Sequence, residues 1–432
     1  MFFVMFRHLK FGEMKIRFIL RKAVTVVSAA AFCLASSPAV KAGLPPISLA
    51  QMYSYASSGN VRALRAAVQR GLNIDSVDRF GNTGLCHAIL QNNCTAYNAF
   101  RSAGANPRSP CIQNIPTEYI GIDEVLCTSS FNSAYLVLIR TLGLGHGDEV
   151  VASPMCCLAS SQPFAVNGIK LIWADIDPST GTLDPEAVKS KITPRTRAIV
   201  HNHFCGYAGH VGEMRKIADE HGLMLIDDVS EAFGTEYHGR KAGNWDADAT
   251  VYSFQTVRLP NAIDGGAVSF KDPTYSQKAA LLRDYGIDRA RFRDDLGEIS
   301  PLCDISEAAY GCLSSDVNAY IGMLSLADTP ELLRRQRENA VRIAENLPDG
   351  VEPLVPLSGT NPNYWVFGAL ACDKRGLIAD FRAAGTCGIS GVHLPNTYYS
   401  LFGDQGVFSG VEEFNHHFVA LPCGWWISDS AL

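Results

Sequence analysis

The sequence is short of charge: only 19% of its 432 residues are charged, and acids outnumber bases 43 to 37. The resulting net charge of −6 leaves no basic face of the kind nucleic-acid binding requires. Its 47% hydrophobic content excludes a disordered chain. Long apolar runs are also missing. The most apolar stretch, residues 23–36, is too short and too rich in Ala and Ser to span a membrane. A third absence is local: no lysine occurs between Lys241 and Lys271. At this length the chain has room for two or three domains and a large core.

The apolar stretch has a different reading. Lys15, Arg17, Arg21 and Lys22 precede it, and Val40-Lys41-Ala42 puts small residues at cleavage positions, so residues 14–42 read as an export signal. Residues 1–13 are then an upstream extension, with Met14 as the physiological start. A working signal implies a secreted or periplasmic protein with no membrane span after its removal. Cys33 would leave with it.

Residues 48–108 repeat themselves. Asn60, Ala66, Gly71 and Asn73 recur 33 residues on as Asn93, Ala99, Gly104 and Asn106, which is the ankyrin period. Gly81-Asn82-Thr83-Gly84-Leu85-Cys86-His87-Ala88 resembles an ankyrin turn and helix start, and helices are expected over 62–69 and 95–102. Two repeats leave stacking faces open, which suits a protein partner or a covalent staple. Cys86, Cys94 and Cys111 allow three disulfide pairings in an exported protein, or serve as small buried groups.

After a connector at 109–116, strand-like runs at 150–152, 171–174, 198–200, 223–226 and 250–254 alternate with helix-like runs at 133–142, 185–191 and 213–220. Such alternation argues an α/β fold with a mostly parallel sheet. Residues 252–270 have the grammar of a cofactor loop. A strand end leads to the Ser253 hydroxyl, a turn holds Pro260 and Asn261, and Asp264-Gly265-Gly266 bends into the next strand. Ser129-Ser130-Phe131-Asn132-Ser133 precedes a helix and reads either as a plain N-cap or as a phosphate cradle. Gly143-Leu144-Gly145-His146-Gly147-Asp148-Glu149-Val150 is a glycine C-cap and turn into a strand. Asp228 closes Leu225-Ile226-Asp227-Asp228 at a strand's C-terminal end, where open α/β sheets form ligand crevices. His201 and His203 share a strand face but have no third ligand in view, so no metal site is read.

Together these motifs resemble the DegT/DnrJ/EryC1/StrS aminotransferases, pyridoxal-phosphate enzymes that aminate nucleotide-linked keto-sugars. The resemblance covers residues 119–432. Trp173-Ala174-Asp175-Ile176-Asp177-Pro178, His203-Phe204-Cys205-Gly206, Asp284-Tyr285-Gly286-Ile287-Asp288-Arg289 and Leu421-Pro422-Cys423-Gly424-Trp425-Trp426 add to it. It implies the aspartate aminotransferase-like fold type I, with a large α/β domain over 119–310 and a small C-terminal domain over 311–432. That small domain stops before the last helix usual in relatives. A homodimer is implied as well.

The resemblance also implies roles. Asp228 pairs with the ring nitrogen. Ser253, Ser130, Asn132 and Ser133 meet the phosphate, and Cys157 lies against the ring. His393 and Asn396 remain from a substrate-facing H-R-R-N-D segment, and the substrate is nucleotide-sugar-like. A long helix over 330–346 enters the small domain.

Several positions depart from the family, among them Asn132 for a Thr and Leu394 and Pro395 for arginines. Phe131 replaces a Gly and would crowd the phosphate. Glu231 stands where Gln or His flanks the ring hydroxyl. Gly311 replaces an Asn that reaches the partner subunit's phosphate. Above all, Arg258 occupies the position of the lysine that carries the cofactor and moves its proton. Arginine keeps its charge and cannot supply a neutral amine. The sequence is therefore read as a catalytically impaired aminotransferase that holds pyridoxal phosphate non-covalently if at all. Two alternatives stand beside this: an ankyrin interaction module carrying a degenerate domain, and a lysine-free enzyme resembling the family's sugar dehydratases. The family's habit is cytoplasmic, against the export signal.

Overall fold

The computed structural model describes residues 49–69, 72–74, 84, 96, 99–100, 103, 115–289, 291–294, 296–385 and 390–427. The export signal, the upstream extension, Cys33, Cys86, Cys94, Cys111 and most of the second repeat lie outside the described residues. The chain divides into two compact units, one within residues 1–105 and one formed mainly by 106–432.

In the first unit, α1 (Leu49–Ser57) and α2 (Val61–Gln69) are joined by a tight turn. Gly59 takes φ 69° there, a conformation glycine reaches without strain. The Asn60 side-chain oxygen accepts the Ala63 N–H at 3.0 Å and caps α2. Met52, Ala56, Leu64, Ala96, Ala99 and Phe100 form its buried apolar core.

The second unit is built on a seven-stranded sheet. Its strands are β1 (Leu126–Thr128), β2 (Glu149–Ala152), β3 (Lys170–Trp173), β4 (Thr196–Asn202), β5 (Met224–Asp228), β6 (Ala249–Ser253) and β7 (Gly266–Phe270). They lie in the order β1-β7-β6-β5-β4-β2-β3. The run from β6 to β3 is parallel, while β7 is antiparallel to both β6 and β1. The central strands are buried on both faces, as near-continuous Val/Ile/Leu runs demand. Helix α3 (Phe131–Thr141) follows β1, and α4 (Leu158–Val166) follows β2. Both pack their apolar faces into the main core with Trp173, Phe204 and Val251. The C-terminal ends of β4, β5 and β6 therefore share one edge of the sheet, beside the N-terminus of α3.

Helix α5 (Asp316–Glu345) is far longer than the expected 330–346 segment. It starts at Ser315, whose hydroxyl accepts the Asn318 N–H at 3.1 Å, and Pro330 sits inside it. An internal proline costs about 3 kcal/mol. Burial of Leu326, Leu333 and Ala340 on one face offsets that cost. Beyond α5, β8 (Val351–Pro353), β9 (Phe367–Ala371) and β10 (Phe418–Leu421) make a small antiparallel sheet with its own core of Ala369, Val419 and Cys423. Among the described residues, no helix is long and apolar enough to cross a membrane.

Candidate active site

Asp228 ends β5 and is 2% exposed. One carboxylate oxygen accepts the Tyr135 hydroxyl at 2.8 Å and the Ser160 hydroxyl at 2.6 Å; the other accepts the Ser230 N–H at 2.9 Å. Tyr135 comes from α3 and Ser160 from α4, so two helices hold the carboxylate from outside its own strand. Burial, and then the Asp228 charge, push the Tyr135 phenol well above its ordinary range, which keeps it a donor.

Glu231 lies one turn further along the chain and is also buried. Its Oε2 accepts the Cys205 N–H at 2.8 Å, and its Oε1 is 2.7 Å from His393 Nε2. The same Oε1 is 3.4 Å from Arg258 Nη2. Burial raises the Glu231 pKa, but His393 and Arg258 outweigh it and hold the carboxylate down at about 2.

Arg258 is 8% exposed at its side chain. Its guanidinium carbon lies 4.0 Å from the centre of the Trp365 ring, a cation–π contact. The Trp365 indole N–H in turn donates to the Val257 carbonyl at 2.8 Å, which pins the loop. Arg258 Nε and Nη1 are buried without a hydrogen-bond partner. So is Ser253 Oγ, at the end of β6. Ser253 pairs in register with Gly266, and a Cβ on Gly266 would lie 2.6 Å from the Ser130 carbonyl oxygen. That close approach, which only glycine allows, brings the orphaned hydroxyl beside the start of α3.

At that helix start Ser130 is the N-cap. Its Oγ accepts the Ser133 N–H at 3.1 Å and lies 2.8 Å from the Ser133 hydroxyl. Asn132 reaches the Ala159 carbonyl at 3.4 Å. Cys157 opens α4, half-buried; burial raises its thiol pKa, and the charges of Glu231, Arg258 and Asp228 all act on it. It is a packing group beside the carboxylates, not a thiolate nucleophile.

Two expected roles change. Phe131 does not crowd the cradle: it is 3% exposed, in the main core, with its ring edge-on to Tyr135 at 5.2 Å. Asn396 does not face a ligand. It is fully buried, and its amide donates to the Pro154 and Cys156 carbonyls at 3.3 and 3.1 Å. It ties its own segment to the turn after β2. Three side chains that build the site were not read from sequence: Tyr135, Ser160 and Trp365. Asp227 lies directly across from His201 in the β4–β5 register. A cavity of about 40 Å³ between the loop and α5, lined by Phe254, Ala262, Met323 and Leu326, is apolar and holds none of these groups.

This arrangement coincides with a family-wide sequence match over residues 115–424. The chain belongs to the DegT/DnrJ/EryC1/StrS aminotransferase family. Among curated relatives it is 28% identical over 284 residues to a dTDP-4-dehydro-2,3,6-trideoxy-D-glucose 4-aminotransferase of Saccharopolyspora spinosa, covering 64% of this chain and 74% of that protein. Among solved structures, the aminotransferase TlmJ of Streptoalloteichus hindustanus superposes with a TM-score of 0.70 at 26% identity, over 76% of this chain and 88% of TlmJ. Spr1654 of Streptococcus pneumoniae, solved in a PLP form, shares the fold, with a TM-score of 0.68 at 19% identity over 75% and 88% of the two chains.

The family works with pyridoxal phosphate, and its aminotransferases are typically dimeric. The residues present fit one part of that cofactor and not another. An orphaned hydroxyl at Ser253, the start of α3 and the buried Asp228 suit the phosphate and the ring nitrogen. At Arg258, the position the sequence reading matched to the family's lysine, there is a guanidinium clamped by Glu231 and Trp365.

Proposed function

We propose that this protein is a sugar-aminotransferase relative that no longer transaminates at family rates and binds its cofactor and a nucleotide-sugar-like ligand without a covalent anchor. The observation behind this is Arg258, a buried cation at the lysine position, held between Glu231 at 3.4 Å and the Trp365 ring at 4.0 Å. Bound there, pyridoxal phosphate would supply an electron sink for a substrate carbanion. Asp228 would hold its ring nitrogen, with Tyr135 and Ser160 fixing the carboxylate's orientation. Ser253 and the Ser130–Ser133 turn would hold its phosphate. Arg258 can orient an anionic group, but it cannot accept a proton from a substrate carbon.

A second reading, lysine-free chemistry, is favoured by His393. This titratable ring is oriented by Glu231 at 2.7 Å, next to Arg258, in the manner of a base held by a carboxylate.

The test is to titrate the purified full-length chain with pyridoxal phosphate and follow tryptophan fluorescence, then assay amino transfer from glutamate and glutamine. Saturable binding that borohydride cannot make covalent, with transfer at background, is the expected result. Transfer at ordinary enzyme rates refutes the proposal. Dehydration of a nucleotide-linked sugar that is lost in His393→Ala replaces it with the second reading.

A further inference from the structure

The opposite strand positions hold a group that the site above does not use. His201 on β4, His203 just beyond it, and Asp227 on β5 form one cluster, exposed by 0, 1 and 1%. His201 Nδ1 is 3.5 Å from Asp227 Oδ1, and His203 Nε2 is 3.4 Å from the same oxygen. Neither contact has the geometry of a hydrogen bond. Both nitrogens of His201, Nε2 of His203 and both oxygens of Asp227 are therefore buried without a partner. Five orphaned polar atoms in three touching side chains is a heavy desolvation cost unless something bonds to them.

We propose that His201, His203 and Asp227 bind a divalent first-row metal ion, with Zn²⁺ as the representative. Two imidazoles and a carboxylate are the donor set such ions take. Ligand atoms about 2.0–2.2 Å from a tetrahedral ion stand about 3.3–3.6 Å apart, a range that includes both contacts on Asp227 Oδ1. All three candidate donor atoms lie within 4.8 Å of one another. Space beside His201 depends on Gly209, where a Cβ would lie 2.3 Å from His201 Nε2 and 2.9 Å from Thr182 Oγ1.

The Gly209 N–H donates to His203 Nδ1 at 3.1 Å, fixing the ring with Nε2 toward Asp227. That bond leaves the ring proton on Nε2 in the metal-free chain, so coordination takes the other neutral tautomer: the proton moves to Nδ1, the Gly209 bond is given up, and the Nε2 lone pair bonds the ion. The Asp227 carboxylate then offsets one of the ion's two positive charges, and both imidazoles bind as neutral ligands. The ion would fasten β4 to β5 at the pairs His201–Asp227 and Asn202–Asp228, immediately behind the carboxylate of the candidate active site. Its role is structural, because the cluster is closed to solvent.

The experiment counts zinc by mass spectrometry in the full-length protein, taken both from zinc-supplemented cells and after unfolding and refolding with Zn²⁺. A Co²⁺-refolded sample reports coordination by its visible absorption. One ion per chain, a Co²⁺ spectrum of a nitrogen/oxygen site, and a melting temperature that falls on chelation and recovers with Zn²⁺ are expected. His201→Gln and Asp227→Asn should each weaken binding by about tenfold or more. Wild-type protein free of metal under both preparations overturns the proposal, and this outcome needs no variant to fold. So does zinc that Asp227→Asn binds as tightly as the unaltered chain, or that disappears when the exposed His416 is replaced by alanine.

Discussion

Exchanging Arg258 for lysine puts a primary amine between Glu231 and Trp365. An amine captures an aldehyde only when neutral, and a carboxylate 3.4 Å away opposes neutrality. Two unit charges at that distance attract by about 5 kcal/mol at an effective dielectric of about 20. At 1.36 kcal/mol per tenfold, that would hold the amine's proton through about three and a half extra decades. His393 shares the same carboxylate oxygen at 2.7 Å and takes part of this field. Arg258→Lys alone should therefore capture pyridoxal phosphate, but only toward alkaline pH. Adding Glu231→Gln should lower the midpoint of capture by about two pH units. The assay is borohydride trapping across a pH series, read as the intact-chain mass gain. Wild-type chain should gain nothing at any pH. A midpoint that Glu231→Gln leaves in place would refute the electrostatic reasoning. A wild-type adduct on the 252–270 loop would refute the assignment of Arg258 itself.

Trp365→Ala removes both the ring under Arg258 and the 2.8 Å bond to Val257, and should destabilise the second unit by about 3 kcal/mol in urea unfolding; a loss under about 1 kcal/mol would show that the clamp is not structural. Glu231 should shape the acid limb of stability: its carboxyl titrates at about 2 when folded against 4.5 ordinarily, so its contribution is complete above pH 4.5 and lost as pH falls toward 2. Glu231→Gln should flatten that limb in pH-dependent melting curves, and an unchanged limb would contradict the assignment. Leu296, Ile299, Leu302 and Ile305 are all exposed, at 88, 63, 79 and 48%, which suits a subunit interface; light scattering should give a dimer that Leu302→Asp converts to monomer. Expressed with its own N-terminus in a bacterium, the chain should be processed after Ala42, which N-terminal sequencing of the exported product checks.

Legibility in the sequence followed the range of the interactions. The parallel strands were readable because burial on both faces requires apolar runs, and residues 198–200 of β4 and 224–226 of β5 are such runs. Asp228 was readable because it ends one of these strands. The extent of α5 was not, because Pro330 argues locally for a helix start while the burial of Leu326 and Leu333 carries the helix through it. Asn396 was misread for a related reason. Its place in a motif suggests a ligand contact, but whether an amide faces a crevice or the Pro154 carbonyl is decided by packing more than 200 residues away.

The same distinction explains what was missed around the carboxylates. Tyr135 and Ser160 reach Asp228 from 93 and 68 residues away, and Trp365 reaches Arg258 from the segment leading into β9. None of these contacts has a local signature. Asp227 was hidden in a different way: side chains alternate across a strand, so Asp227 and Asp228 face opposite sides of β5. Only the register pairing His201 with Asp227 and Asn202 with Asp228 separates one carboxylate toward the histidines from the other toward Tyr135 and Ser160. Two adjacent acids in one motif thus lie on opposite faces, one in each of the two proposed sites. That division predicts separable phenotypes: Asp228→Asn should weaken cofactor binding and leave metal content intact, whereas Asp227→Asn should lose metal first. If both substitutions abolish both properties to the same degree, the two faces of β5 act as a single site and the separation argued from register fails.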